Sequence, residues 1–207
     1  MAKAPAKGKS KSELTRERIL DAAAASFRER GFAATRLSDI AERAELQAPS
    51  LYYHFASKEE LIEVVLALGV ERTYAEVKRR VSEAPSDDPI GRLRAAIGAH
   101  VEMVLETGNY SAANLRLYGQ VPEDIRRRLQ RLQDRVGRYW NQLLRDARDA
   151  GAIRADLDLS ATRMLILGSL NWTAEWYKPQ PKGLTPEQLA AHASTIVLDG
   201  IIATPGK

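Results

Sequence analysis

The chain has 207 residues, 44% of them apolar and only 6% aromatic, with three histidines, no cysteine and a net charge of +4. The lack of cysteine excludes disulfides, thiolate nucleophiles and Cys-based zinc sites, and no stretch approaches the roughly 18 consecutive apolar residues of a membrane span. Abundant Ala, Leu, Arg and Glu, all strong helix formers, point to an all-α protein. A cytoplasmic one is expected, because no apolar run follows the basic N-terminus as a signal peptide requires.

Residues 1–11 carry Lys3, Lys7, Lys9 and Lys11 with no acid, broken by Pro5 and Gly8. They read as a disordered basic arm, either a solubilising tail or a strand of charge laid along DNA phosphate. Ser12 to Arg30 is the first helix, with Ile19, Ala22, Ala23, Ser26 and Phe27 on one face and Gly31 as its stop. Two very short helices follow, Arg36–Ala44 with Thr35 as its cap and Ala48–Phe55, joined by Glu45–Leu46–Gln47. Ser57-Lys58-Glu59-Glu60 forms a capping box that opens a helix of about 25 residues. The Pro-rich run at 84–89 separates it from a helix over Ile90–Thr107. Gly108-Asn109 breaks that helix ahead of a short one at Ser111–Tyr118.

A long helix runs from about Pro122 to Ala150, with Ile125, Leu129, Leu132, Val136, Tyr139, Leu143 and Ala147 in a continuous seam. The last two helices run from Leu159 to Tyr177 and from the capping box at Thr185-Pro186-Glu187-Gln188. No strand alternation and no internal repeat interrupts this pattern.

The informative feature is the pair of short helices behind a longer one. Helices under about 12 residues are marginal alone, so these two must pack on the first through Phe27, Phe32, Leu37, Ile40, Leu51 and Phe55. That is the helix-turn-helix plan, whose second short helix enters the major groove of DNA. Gln47, Ser50, Tyr52, Tyr53 and His54 could then bond to bases or phosphates, with Ala48 and Pro49 against a thymine methyl or the backbone. Thr35, Arg36 and Lys58 would take phosphates beside helix starts. The bland alternative is a helical hairpin that merely packs, with Tyr52 and Tyr53 partly buried.

The stretch Gly31-Phe32-Ala33-Ala34-Thr35-Arg36-Leu37-Ser38-Asp39-Ile40-Ala41, with Pro49-Ser50-Leu51-Tyr52-Tyr53-His54-Phe55-Ala56-Ser57-Lys58-Glu59-Glu60-Leu61, resembles the tetracycline-repressor (TetR) family signature. The resemblance implies a three-helix DNA-binding domain over residues 12–58 and a six-helix effector-binding and dimerisation domain over 59–207. It also implies a homodimer through the last two helices. Those helices offer Met164, Leu165, Gly168, Leu189, Ala193, Ile196 and Gly200 as an apolar face. Gln47, Ala48 and Pro49 depart from the family's small hydrophilic residue, lysine and glycine, which leaves the operator sequence unread.

Trp176-Tyr177-Lys178-Pro179 followed by Leu184-Thr185-Pro186-Glu187-Gln188 resembles a branch of the family that responds to acyl-CoA thioesters. The effector implied is small and hydrophobic, an acyl-CoA in that branch or otherwise a drug-like or aromatic compound. Met103, Leu117, Tyr139, Trp140, Met164, Trp172 and Trp176 are the candidate lining of its channel. Arg126, Arg127, Arg128, Arg131, Arg135 and Arg138 offer charge for CoA phosphates or are simply a solvated face. No cofactor, metal or membrane partner is expected, and His100 and His192 read as single polar residues on helices. An enzyme is disfavoured, since serine-centred nucleophile motifs, glycine-rich phosphate loops and spaced histidine pairs are all missing. A non-specific architectural DNA binder would need basic charge well beyond the arm.

Overall fold

The computed structural model describes residues 10–202, in which nine helices are joined without any strand. They are α1 (Lys11–Ala34), α2 (Leu37–Arg43), α3 (Ala48–His54), α4 (Lys58–Glu83), α5 (Pro89–Glu106), α6 (Gly108–Leu117), α7 (Glu123–Asp149), α8 (Leu159–Trp176) and α9 (Pro186–Ile201). One isolated antiparallel bridge, Ile153 with Ile202, ties the α7–α8 loop to the end of α9. Among the described residues no helix is long and apolar enough to cross a membrane.

Most of the helix ends follow local chemistry. Of the basic arm read over residues 1–11, residues 1–9 lie outside the described residues, while Ser10 and Lys11 are ordered and α1 begins earlier than predicted. Ser10 makes a full capping box with Glu13, so Lys11 is already helical. Gly31, at φ +78°, interrupts α1 where the sequence predicts its end. Thr185 and Gln188 complete the second capping box. The one at Ser57 is only half formed, because the Glu60 carboxylate takes the N–H of Ala56 at 2.8 Å instead. The predicted break at Gly108-Asn109 is narrower in the structure. The N–H groups of Tyr110 and Ser111 both bond to the Thr107 carbonyl, so α6 starts at Gly108.

The turn between α2 and α3 is a Schellman motif. The N–H of Leu46 bonds to the Ala41 carbonyl and that of Glu45 to Glu42, each at 2.9 Å. Its left-handed residue is Glu45, at φ +55°, where glycine is usual. Arg18 of α1 clamps it, donating to the Ala44 carbonyl and to the Glu45 carboxylate.

Two apolar cores organise the chain. The first joins Ile19, Leu20 and Phe27 of α1, Ile40 of α2, Leu51 and Phe55 to Leu61–Leu66 of α4, Ala113 of α6 and Ile125 and Leu129 of α7. The second joins Val77 and Val81 of α4 and Trp140–Ala147 of α7 to α5, α8 and α9. The α7 seam is divided between the two, Ile125 and Leu129 serving the first core and Val136, Tyr139, Leu143 and Ala147 the second. Beside it, Gln130, Gln133, Asp134 and Gly137 line a gap between the two cores.

Glu45→Val places a β-branched side chain at positive φ and should destabilise the fold by about 1–2 kcal/mol, whereas Glu45→Gly should hold or raise the melting temperature. Thermal denaturation of the two variants checks both signs.

Candidate functional site

The first candidate site is the outer surface of α3. Of its seven residues only Leu51 is buried. That residue and Phe55 anchor the helix in the first core, and everything else faces out. Pro49 lies in the first turn, where its missing N–H is not needed. Gln47, Ala48, Pro49 and Ser50 are exposed, and Tyr53 is 83% and Tyr52 57% exposed. Two tyrosines this open on one short helix argue against a hairpin that merely packs. His54 is half-buried, its ring edge-on to Tyr53 at 5.3 Å.

Among the described residues, most of the arginines around α3 are paired. Arg30 pairs with Asp39 and Arg43 with Glu29, both at 2.7 Å, and Arg18 reaches Glu45. The hydrogen bonds from Arg43 hold the Glu29 carboxyl below its ordinary range. Arg36, exposed at the N-cap of α2, makes no such pair among the described residues. It can meet a phosphate unhindered.

Two predicted phosphate contacts are turned inward. Thr35 is buried, and its hydroxyl donates to the Gly31 and Ser26 carbonyls, so it closes α1 rather than capping α2. The Lys58 ammonium donates to the carbonyls of Phe32 (2.9 Å), Thr35 (3.1 Å) and Ala33 (3.5 Å), and lies over the Phe32 ring. An ammonium has three N–H donors, and all three are engaged. Lys58 fastens the start of α4 to the end of α1.

The second candidate site is the gap between the cores, a cavity of about 560 Å³ walled by α4, α5, α6, α7 and α8. That is the range of drug-sized ligand sites. Its α4 wall is Gly69–Val77, the stretch between the residues given to each core. Trp140 and Met164 line it as the sequence suggests. The other five predicted lining residues do not. Leu117 is buried in the first core and Tyr118 takes the wall position. Val104, one position on, replaces Met103. Tyr139 packs edge-on behind Tyr74, at 5.6 Å. Trp172 and Trp176 are 56% and 51% exposed and face outward.

Sequence reasoning missed the polar part of the wall, to which His100, Arg163 and Asn171 all contribute. The signal was Gly137, a glycine beside the apolar seam of α7. Nε2 of His100 is 2.9 Å from Asn171 Oδ1, and its ring stands edge-on to Trp140. Burial pushes the imidazole down to about 4 from 6.5, against the upward pull of the Asn171 hydrogen bond. No group of three or more metal-ligating side chains occurs among the described residues.

A histidine with a lowered folded pKa stabilises the fold fully above its unfolded value. It loses that contribution as pH falls from 6.5 toward 4. Between pH 7 and 4.5 the protein should therefore lose about 2–3 kcal/mol more stability than a His100→Asn variant, as measured by urea denaturation at the two pH values.

Comparisons with known proteins match both halves of the chain to regulators. Residues 19–65 match the model of bacterial regulatory proteins of the tetR family, and residues 86–201 match the tetracyclin repressor-like C-terminal domain. The chain is 30% identical over 191 residues to the HTH-type transcriptional repressor KstR2 of Mycobacterium tuberculosis, covering 90% of this chain and 92% of the relative. The solved structure of that ketosteroid transcriptional regulator superposes with a TM-score of 0.83 at 27% identity, covering 95% and 98% of the two chains. The TetR-family regulator PfmR of Thermus thermophilus gives 0.77 at 28% identity, covering 88% and 95%. AibR, solved in complex with isovaleryl coenzyme A and operator DNA, shares the fold with a TM-score of 0.76 at 24% identity, covering 88% and 97%.

Proposed function

The chain belongs to the tetracycline-repressor (TetR) family of transcriptional repressors, not to an enzyme family, and we propose that it binds a pseudo-palindromic operator as a homodimer and is released by a small hydrophobic effector. The observation that carries the DNA half is α3, a helix with one buried residue, held on a rigid turn and presenting Gln47, Ala48, Pro49, Ser50, Tyr52 and Tyr53 outward. These residues, with His54 at the end of the helix, read the major groove, and Arg36 takes an adjacent phosphate. Lys58 and Thr35 support this surface from behind.

Dimerisation supplies the second reading head. Leu165 and Ile196, each 75% exposed, lie with Met164, Trp172 and Trp176 on the outer faces of α8 and α9. Gly200 has open space where a side chain would point, which admits a neighbouring helix. Leu189 instead belongs to the chain's own second core and leaves the proposed interface. Two-fold symmetry of the dimer matches a two-fold operator.

The effector occupies the cavity between the cores, and an acyl-CoA is the class suggested by the Trp176–Pro179 and Leu184–Gln188 elements. AibR lends this a precedent of fold, having been solved with a coenzyme A thioester and operator DNA together. Filling the cavity bears on α4 at Gly69–Val77, and α4 begins directly behind α3. It also bears on α6, whose Tyr110 hydroxyl donates to Asp21 of α1 at 2.6 Å. A displacement of α4 and α6 moves each head and changes the spacing of the pair. Coupling of about 1–3 kcal/mol, the usual allosteric range, loosens DNA roughly fivefold to a hundredfold.

With a duplex selected from random sequence, Arg36→Ala should weaken binding and reduce the slope of log affinity against log salt by about one, with the melting temperature unchanged. An unaltered slope removes Arg36 from the interface. Leu165→Asp combined with Ile196→Asp should convert a sedimenting dimer to a monomer and abolish the gel shift on the full site. A charged variant that still sediments as a dimer rules this interface out.

A further inference from the structure

The cavity between the cores has one side that is bridged by side chains instead of being closed by packed helices. Much of its wall is made of buried residues on closely packed elements, among them Gly69, Val77, Val104 and Trp140. α6 packs on α1, α4 and α8, and α7 on α4, α5 and α8, but α6 and α7 hardly pack on each other. The lining residues Leu115 of α6 and Gln130 and Asp134 of α7 are exposed. Met164, Gly168 and Asn171 of α8 are exposed as well, but they border Leu165 and Trp172 of the face proposed for the dimer. That leaves the α6–α7 side to face solvent.

A chain of hydrogen bonds crosses this side. The Tyr118 hydroxyl donates to Gln130 Oε1 at 2.6 Å, and Gln130 Nε2 donates to Asp134 Oδ1 at 2.7 Å. The backbone N–H of Tyr118 bonds to the Asn114 carbonyl at the end of α6. Its main chain is thereby held, and the side chain is the part that can turn between rotamers. The Tyr118 ring is half-buried against the first core, with Leu115 three residues before it on the same side of α6. An apolar molecule arriving at the surface therefore meets Leu115, 42% exposed, and then the ring. Both hydrogen bonds lie open to water, which replaces them as they break, so opening costs little. Side-chain turns of this kind are also far faster than helix displacements.

We propose that Tyr118 and Gln130 form a gate between α6 and α7, through which a small apolar molecule enters and leaves the cavity. The proposal rests on the cavity being the effector site of the repressor. It separates entry from response, because the gate opens by side-chain rotation while the helices that carry the reading head stay packed. The gate then sets how fast an effector comes and goes, and the cavity wall behind it sets how tightly the effector is held.

Stopped-flow mixing of the full chain with bromodecanol, whose bromine quenches tryptophan on contact, tests this. The background carries Trp172→Phe and Trp176→Phe, which leaves Trp140 of the cavity wall as the sole tryptophan. Tyr118→Phe should speed association and dissociation alike by about fivefold, the weight of one net hydrogen bond, and leave their ratio within about twofold. Gln130→Ala breaks the same bond from the other side and should do the same, and the two together should add little to either alone. Gln142→Ala removes a comparable exposed bond within α7, to Asp146, and should change neither rate. Circular dichroism confirms that each variant is folded. The proposal is overturned if bromodecanol leaves Trp140 unquenched or if neither rate responds to Tyr118→Phe. It is also overturned if dissociation alone responds, which makes Tyr118 a contact of the bound molecule. A gel shift with the selected duplex is read separately. Rates governed by Tyr118 with no release of DNA support the gate and count against the effector reading of the cavity.

Discussion

The structure depends on one helix that belongs to two cores. At 26 residues α4 is about 39 Å long. Its first turns complete the core beneath the reading head and its last turns complete the core of the C-terminal bundle. The head could not stand without it. The buried residues of α2 are only Ile40 and Ala41, and that of α3 is only Leu51, far too little to offset the entropy of ordering two short helices. The head is stable because α1 lays Ile19, Leu20 and Phe27 against α4 and α6. Its position is therefore set by the same helices that wall the cavity.

This arrangement decides which contacts can transmit a change. The ion pair along the joint between Arg116 of α6 and Glu175 of α8 is open to solvent on its arginine side, and such pairs are individually weak. Packing is the stiffer link. A Cβ at Gly69 of α4 would come 3.1 Å from Tyr110 Cβ, so α4 and α6 already touch backbone to side chain. Close-packed interiors do not yield continuously. A ligand pressing on either helix in the cavity is met by the other and then by α1, through Tyr110 and Asp21.

How much of this the sequence discloses follows from how local each signal is. The helix-turn-helix is legible because turn, cap and apolar spacing all fall within 40 residues, and Leu51, Phe55 and Ser57 do what their positions suggest. Lys58 and Thr35 are misread for a single reason. A polar residue beside a helix start looks available for phosphate, yet the open carbonyls at the end of α1 lie closer. The cavity is poorly legible because it is an absence of packing between elements distant in sequence. Periodicity places Val136 and Tyr139 on one seam, but it does not show that the partner helices diverge there. Trp172 and Trp176 suggest a ligand by composition alone. His100 reads as a single polar residue on its helix until α5, α7 and α8 are brought together.

The same division explains why α3 identifies the protein's class so clearly and its operator so little. The backbone of α3 is specified from outside, by Leu51 and Phe55 beneath it, the Schellman turn at Glu45 before it and the Ser57 cap after it. Its five most exposed residues, Ala48, Pro49, Ser50, Tyr52 and Tyr53, add almost nothing to the core, so replacing them leaves the head's shape intact. Under the proposed function groove recognition depends on those side chains, whereas folding depends on the buried ones. A reading head built this way can change the sequence it reads without re-engineering the helix that presents it. Gln47, Ala48 and Pro49 occur in an otherwise regular signature because the structure places no demand on them beyond a helix start that tolerates proline.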